Sequence, residues 1–287
     1  MKTINSISGG KTSAYIAAHY PADYNIFSLV RIEDENCRFK DEKVRKMVED
    51  RIQAPFIGTP EEDTIIYTML DLEQFIGKEI NWVTGPTFDE IVMMKNGKTV
   101  LPNVQRRMCT MQMKIEPMFQ WWRANIGEIV EVRIGFRANE TNRAKNMIER
   151  AAETNGVLTC KAIVGKHKDG RNKWQTVPYQ IPRFPLIEGN IYKDTIENFW
   201  SDKPVRFAYM NNCVGCFHRS PMLLNMMFQR HPEKMEWFNK TEQKAMSDLR
   251  GNKWKSEVSY QQIKEYRPQF EMFDTDFNEC DSGYCGL

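Results

Sequence analysis

The chain has 287 residues, with 40 Lys and Arg against 38 Asp and Glu for a net charge of +2, and is 41% hydrophobic and 11% aromatic. Its 16 Phe, 10 Tyr and 7 Trp can bury enough apolar area to offset the entropy of ordering, which excludes a disordered chain. No stretch approaches the ~20 consecutive apolar residues of a membrane span, and residues 1–8 lack the apolar core of a secretion signal, so a cytoplasmic protein with no membrane partner is expected.

In chain order, residues 3–8 read as a strand, Gly9-Gly10 as a turn, and a helix starts near Thr12. Residues 26–32 form a second β-rich run after Pro21. Next come a charged amphipathic helix over 41–52, a short strand over 55–57, and a helix over 64–76 with Met69, Leu72, Phe75 and Ile76 on one face. Residues 80–83 and 129–134 alternate as strands, with helices over 88–94 and 117–125 between them. Pro117 suits a first helical turn because it has no N–H to leave unpaired, and Gly127 suits the exit. A helix over 142–153 follows. Strands alternating with helices imply βαβ crossovers and therefore an α/β fold with a Rossmann-like parallel sheet and helices on both faces.

After Gly156 the pattern weakens. Residues 157–164 and 174–185, the latter with three prolines, read as strands or extended chain that need not join the same sheet. Past Pro204 come a close cysteine pair and helices over 221–228 and 232–249. The expected division is one domain over 1–205 and a smaller cysteine-bearing, helical region over 206–287 packed back on it.

Charge is unevenly distributed. Residues 270–287 hold five acidic residues and no Lys or Arg, leaving +7 on the rest of the chain, and residues 106–150 hold nine basic residues against five acidic ones. A basic patch of this kind suits a phosphate-bearing ligand.

Ser8-Gly9-Gly10-Lys11-Thr12-Ser13 lies between the first strand and the first helix, where backbone N–H groups and the positive helix terminus converge on an anion. The glycines allow close backbone approach, Lys11 adds charge, and Ser8, Thr12 and Ser13 add hydroxyl donors. A Walker A loop is excluded by spacing, because its first glycine would fall at Asn5. Gly135-Phe136-Arg137 ends a strand, the place where open α/β sheets bind ligands, and Arg137 can fork onto phosphate or sulfate while Lys114 acts as a point charge.

The loop resembles the PP-loop, S-G-G-x-[DT]-S, of the adenine nucleotide alpha hydrolase superfamily, which includes ATP pyrophosphatases, tRNA thiolation enzymes and phosphoadenosine phosphosulfate (PAPS) reductases. Arg106-Arg107-Met108-Cys109-Thr110-Met111-Gln112-Met113-Lys114-Ile115-Glu116-Pro117 is similar to the R-x-C-[CT]-x-x-x-K-[IV]-x-P segment of adenylyl sulfate reductases and related DNA phosphorothioation enzymes. Gly135 to Ala144 resembles that family's G-x-R-[AK]-x-E-S-x-x-R segment, with Thr141 for Ser and Arg143 one residue early. The three motifs occur in the same order between residues 8 and 144. The resemblance implies a PAPS reductase-like fold with Ser8 to Ser13, Lys114, Arg137 and Arg143 around an adenine nucleotide, ATP or PAPS, with magnesium bridging the phosphates of ATP.

Seven cysteines in a reducing compartment point to metal or redox chemistry rather than disulfides. Cys213-Val214-Gly215-Cys216 is the strongest local metal signal, since a two-residue spacer with a glycine lets both thiolates face one centre. Cys280 and Cys285 could complete a structural zinc site with His218 as a spare ligand. The resemblance instead implies that Cys109 joins Cys213 and Cys216 in an iron–sulfur cluster of the 4Fe-4S type. Its fourth ligand is Cys285 or Cys280, or the cluster has three protein ligands and an open iron; Cys285 is expected as the fourth, which leaves Cys280 as nucleophile or bystander. The reductases have two adjacent cysteines where this chain has Cys109-Thr110, and their E-C-G tail is Glu279-Cys280-Asp281 here. Cys37 and Cys160 read as small buried hydrophobes.

The expected function is ATP α-phosphate activation, with Lys11 and Arg137 in catalysis, coupled to cluster-dependent sulfur transfer to nucleic acid or another acceptor, with a sulfur or electron donor protein as partner. A sulfonucleotide reductase using Cys280 is one alternative. A non-catalytic nucleotide- or nucleic-acid-binding protein with structural zinc is the other, favoured by Thr12 in place of Asp.

Overall fold

The computed structural model describes residues 1–93, 96–249 and 252–267. In chain order the elements are β1 (Thr3–Ile7), α1 (Lys11–His19), β2 (Tyr24–Leu29), α2 (Glu42–Ile52), α3 (Thr64–Ile76), β3 (Ile80–Thr84), α4 (Phe88–Val92) and the single turn α5 (Met108–Thr110). A π-helical turn (Met111–Ile115) leads into α6 (Glu116–Asn125), followed by β4 (Val130–Arg133), α7 (Thr141–Ala152), β5 (Leu158–Lys166) and β6 (Asn172–Arg183). The chain continues through α8 (Pro185–Glu188), α9 (Lys193–Trp200), α10 (Pro221–Arg230), α11 (Pro232–Asp248) and α12 (Tyr260–Glu265). Among the described residues no helix is long and apolar enough to cross a membrane.

These elements group into two compact units, each assembled from three stretches of chain. The first contains Met1–Phe27, Ile66–Val83 and Glu116–Phe207; the second contains, of the described residues, those within Ser28–Ile65, Thr84–Ile115 and 208–267.

The fold is α/β, and its sheet has six strands in the order β3-β2-β1-β4-β6-β5. β1 runs parallel to both β2 and β4, and β4 runs parallel to β6. Being central, β1 buries Ile4, Asn5 and Ile7, the near-continuous burial expected of a strand covered on both faces. Asn5 meets that burial by donating to the Tyr20 carbonyl at 2.9 Å and to Asn25 Oδ1 at 3.1 Å. The chain builds outward from β1 to β2 on one side and returns to place β4 on the other. The loops after β1 and β4 therefore flank the point where strand order reverses, the usual ligand position in open α/β sheets.

Two expectations change. Residues 55–57 form no strand; Gly58 makes only an isolated antiparallel bridge with Ile32. Residues 158–183 form a long antiparallel hairpin, and β6 joins the main sheet beside β4, so the weakly patterned segment extends the sheet. Its pattern is weak because the outer half of the hairpin is exposed on both faces.

The second unit has its own core. Val30, Ile32, Leu101, Met113, Leu224, Met227 and the rings of Phe88, Trp237, Phe238, Trp254 and Tyr260 form one buried cluster. The methionine-rich run after Pro221 supplies part of it, as helix-core packing requires. Asp41 caps α2 by accepting from the N–H groups of Lys43 and Val44, and Thr87 with Glu90 forms a capping box on α4.

Candidate functional site

In the first unit, β1 ends at the glycine loop. Gly9 takes φ +81°, a conformation suited to glycine, and Gly10 begins α1 with no side chain capping the helix N-terminus. Ser13 Oγ accepts from Ser8 N–H at 3.1 Å and donates to the Gly10 carbonyl at 3.1 Å, closing the loop on itself. Ser8 Oγ lies 3.2 Å from Ser13 Oγ. The Lys11 ammonium pairs with Glu197 of α9, and Trp200 Nε1 donates to the Lys11 carbonyl at 3.0 Å. The cation of the loop is thus matched by a carboxylate.

The loop after β4 meets this one directly. A Cβ on Gly135 would lie 3.3 Å from Thr12 Cγ2 and 3.6 Å from Ser13 N, so the two loops approach closely and an alanine there would press on the Thr12 methyl. Two residues on, Arg137 is 9% exposed. Glu140 Oε2 accepts from its backbone N–H at 2.8 Å and from its Nε at 3.1 Å, while Glu140 Oε1 pairs with Arg143. The Arg143 guanidinium stacks over Phe136 at 4.0 Å, and Phe136 stacks on Phe184 with ring centroids 5.5 Å apart. One carboxylate therefore fixes two guanidinium groups, and the early position of Arg143 still brings it to the Arg137 cluster.

The second unit gathers the cysteines. Cys109, Cys213 and Cys216 line one cavity of about 40 Å³ together with Lys114 and His218. Lys114 Nζ donates to Glu61 Oε1 at 3.0 Å and to Asn212 Oδ1 at 3.4 Å. The Glu61 side chain is 1% exposed, so this pair lies in a poorly solvated setting where Coulomb attraction is strong.

The cysteine loop is held from several sides. Val214 N–H donates to the Pro60 carbonyl at 2.8 Å, Cys216 N–H to the Cys213 carbonyl at 3.1 Å, and Tyr260 Oη to the Gly215 carbonyl at 3.0 Å. Arg219, 3% exposed, donates to the carbonyls of Asn211, Asn212 and Cys213.

Burial pushes the Cys213 thiol well above its ordinary range; Glu61 raises it further and Lys114 opposes the rise. Burial likewise raises Cys109, with Cys216 adding to the effect. Burial, reinforced by Arg107 and Lys255, lowers His218 to about 4, leaving a neutral imidazole at pH 7. Buried thiols of this kind ionise when a metal takes the place of their protons. Among the described residues no group of three or more His, Cys, Asp or Glu side chains is arranged to hold a metal ion. The donor chemistry nonetheless fits one, because soft thiolates with a neutral imidazole nearby and a compensating ammonium suit zinc or an iron–sulfur centre. Cys280 and Cys285 lie outside the described residues.

Cys37 and Cys160 line no part of this cavity. Both are buried, and burial pushes Cys37 up to about 12 and Cys160 up to about 11, as for inert core thiols.

The chain matches no protein-family model, no curated protein and no solved structure. Its residues must therefore speak for themselves. Ser8 to Ser13, Arg137 and Arg143 belong to the first unit; Lys114, Cys109, Cys213 and Cys216 belong to the second. Sequence reasoning gave no role to Glu140, although it matches the acidic position of the segment from Gly135 to Ala144, and missed Glu61, Glu197 and Arg219 altogether. For those three the sole signal is a charge that tertiary structure pairs or buries, and nothing local distinguishes them from surface charges.

Proposed function

We propose that the chain is a cytoplasmic PAPS reductase-like enzyme of the PP-loop superfamily that activates the α-phosphate of ATP and couples it to iron–sulfur-dependent sulfur transfer. The carrying observation is the convergence of Cys109 with Cys213 and Cys216, about a hundred residues apart in sequence, on one cavity. That trio supplies three of the thiolates that the resemblance implies for a cluster. The N-terminus of α1, which Gly10 leaves without a side-chain cap, lies beside Gly135 and supports the nucleotide reading independently.

In this reading the backbone N–H groups that open α1 receive phosphate oxygens. An acceptor oxygen attacks the α-phosphorus, the bond to the bridging oxygen breaks, and pyrophosphate leaves. Lys11, released from Glu197, and the Arg137–Arg143 pair, aligned by Glu140, neutralise the charge that develops. Cys109, Cys213 and Cys216 would hold the cluster, with Cys285 or Cys280 as fourth ligand. When bound, such a cluster supplies an iron–sulfide centre that can carry sulfur.

Calorimetry tests the substrate: ATP is expected to bind at least as tightly as PAPS, and a clear preference for PAPS overturns ATP activation in favour of sulfonucleotide reduction. His218 in the same cavity favours a second reading, a nucleotide-binding protein with structural zinc. Metal and labile-sulfide analysis of anaerobically prepared protein separates the two. Iron and sulfide are expected, both falling close to zero in Cys109→Ala; unchanged content in that variant, or stoichiometric zinc without iron, overturns the cluster.

A further inference from the structure

The β5–β6 hairpin takes no part in the site described above. β5 is the edge strand of the sheet, and the outer half of the hairpin is solvent-exposed. Between Lys161 and Lys173 it carries five Lys and Arg residues against one carboxylate, Asp169, which is paired with Arg171. Ile163 and Trp174 are direct cross-strand partners, and Lys161 opposite Thr176 lies two residues along on the same face. Trp174 is 59% exposed and Ile163 is 39% exposed. The indole and its cross-strand isoleucine thus form a small apolar platform open to water within a cationic surface.

We infer that this hairpin binds single-stranded nucleic acid, with an unpaired base stacking on Trp174 and phosphates on the lysines around it. The combination is the one such sites require: a positive track for the backbone and an aromatic platform for bases. Pairing with a protein strand is disfavoured on this edge, because the lysines repel approach and Arg123 of α6 already donates to the Ile163 carbonyl at 3.0 Å. Duplex bases are stacked on one another and offer Trp174 no face, which selects the single strand. The inference is independent of the nucleotide reading, and the two fail separately: one by oligonucleotide titration, the other by ATP calorimetry.

Fluorescence anisotropy of the full chain with a labelled oligothymidylate of about 16 nucleotides tests it, a length that covers the usual site sizes. Binding is expected to weaken with salt, and Trp174→Ala should reduce affinity by about tenfold. Replacing Lys161 and Lys166, which share the face of Trp174, by Gln should flatten the slope of log K against log salt by about 1.4, the value for two lost phosphate contacts on a single strand. All three side chains are exposed, so both variants should keep the wild-type unfolding midpoint. Absence of binding at low salt overturns the inference. So does affinity unchanged in both variants, equal affinity for a duplex of the same length, or binding confined to phosphatidylserine vesicles.

Discussion

Gly215→Ala is expected to destabilise the second unit by about 3 kcal/mol, the upper end of the usual overpacking cost. A Cβ there would lie 2.4 Å from both Cγ and Cδ2 of Phe238. That ring has nowhere to retreat: it is 1% exposed and meets Trp237, Trp254 and Phe88 at centroid distances of 4.9, 5.3 and 5.7 Å. The glycine between the two cysteines is thus a packing requirement as well as an aid to turning. The denaturant midpoint measures the loss. Shrinking the ring should relieve it, so the cost of Gly215→Ala with Phe238→Leu should fall short of the sum of the single costs by more than about 1 kcal/mol. Agreement with that sum to within about 0.5 kcal/mol would mean that the two positions do not clash.

Arg219→Leu is expected to cost about 3 kcal/mol, because charge-assisted hydrogen bonds are lost and buried acceptors are left without partners. The guanidinium reaches the carbonyls of Asn211, Asn212 and Cys213 at 2.7, 3.2 and 3.0 Å. Asn212, held in this way, takes φ +69°, a left-handed conformation that an unsupported loop would relax. Arg219→Lys should recover only part, since an ammonium can replace Nη2, which makes all three of these contacts, but not the Nε–H that also donates to the Cys213 carbonyl at 3.2 Å. Hydrogen exchange over residues 211–216 should accelerate in both variants. Protection equal to wild type would show that the loop holds its shape without the fork.

Several features of the fold were legible because they are local. Hydrophobic spacing places α3 at Thr64–Ile76 as expected from sequence, and β1 and β4 lie within a residue or two of their expected ends. The Gly-Gly loop and the Cys213–Cys216 pair are short motifs whose chemistry follows from adjacency. The β5–β6 hairpin was not legible in the same way. Two-sided exposure removes the alternation that marks a strand, and its prolines at 178 and 182 suggest irregular chain. Residues 55–57 read as a strand by composition but pair with no neighbouring strand, and β-propensity cannot supply a partner.

Pairing at long range followed a different logic. The carboxylates that meet the candidate cations are Glu197 for Lys11 and Glu140 for Arg137 and Arg143 in the first unit, and Glu61 for Lys114 in the second. Only Glu140 is near its partners in sequence, and it alone lies in a motif read from sequence. Nothing in the local pattern distinguishes Glu61, 1% exposed, from its neighbours in Pro60-Glu61-Glu62-Asp63. The near-balance of 40 basic and 38 acidic residues therefore says little about the site until each charge has a partner.

From sequence alone came the alternation of strands and helices, the Gly-Gly loop after the first strand, and the cysteine pair with a glycine spacer, all set by contacts within a few residues. Tertiary structure alone placed β4 beside β1, so that Gly135 meets Thr12 at the reversal of strand order, and brought Cys109 to the cavity of Cys213 and Cys216. Those contacts depend on which surfaces bury one another, a property of the packed chain that local spacing does not encode.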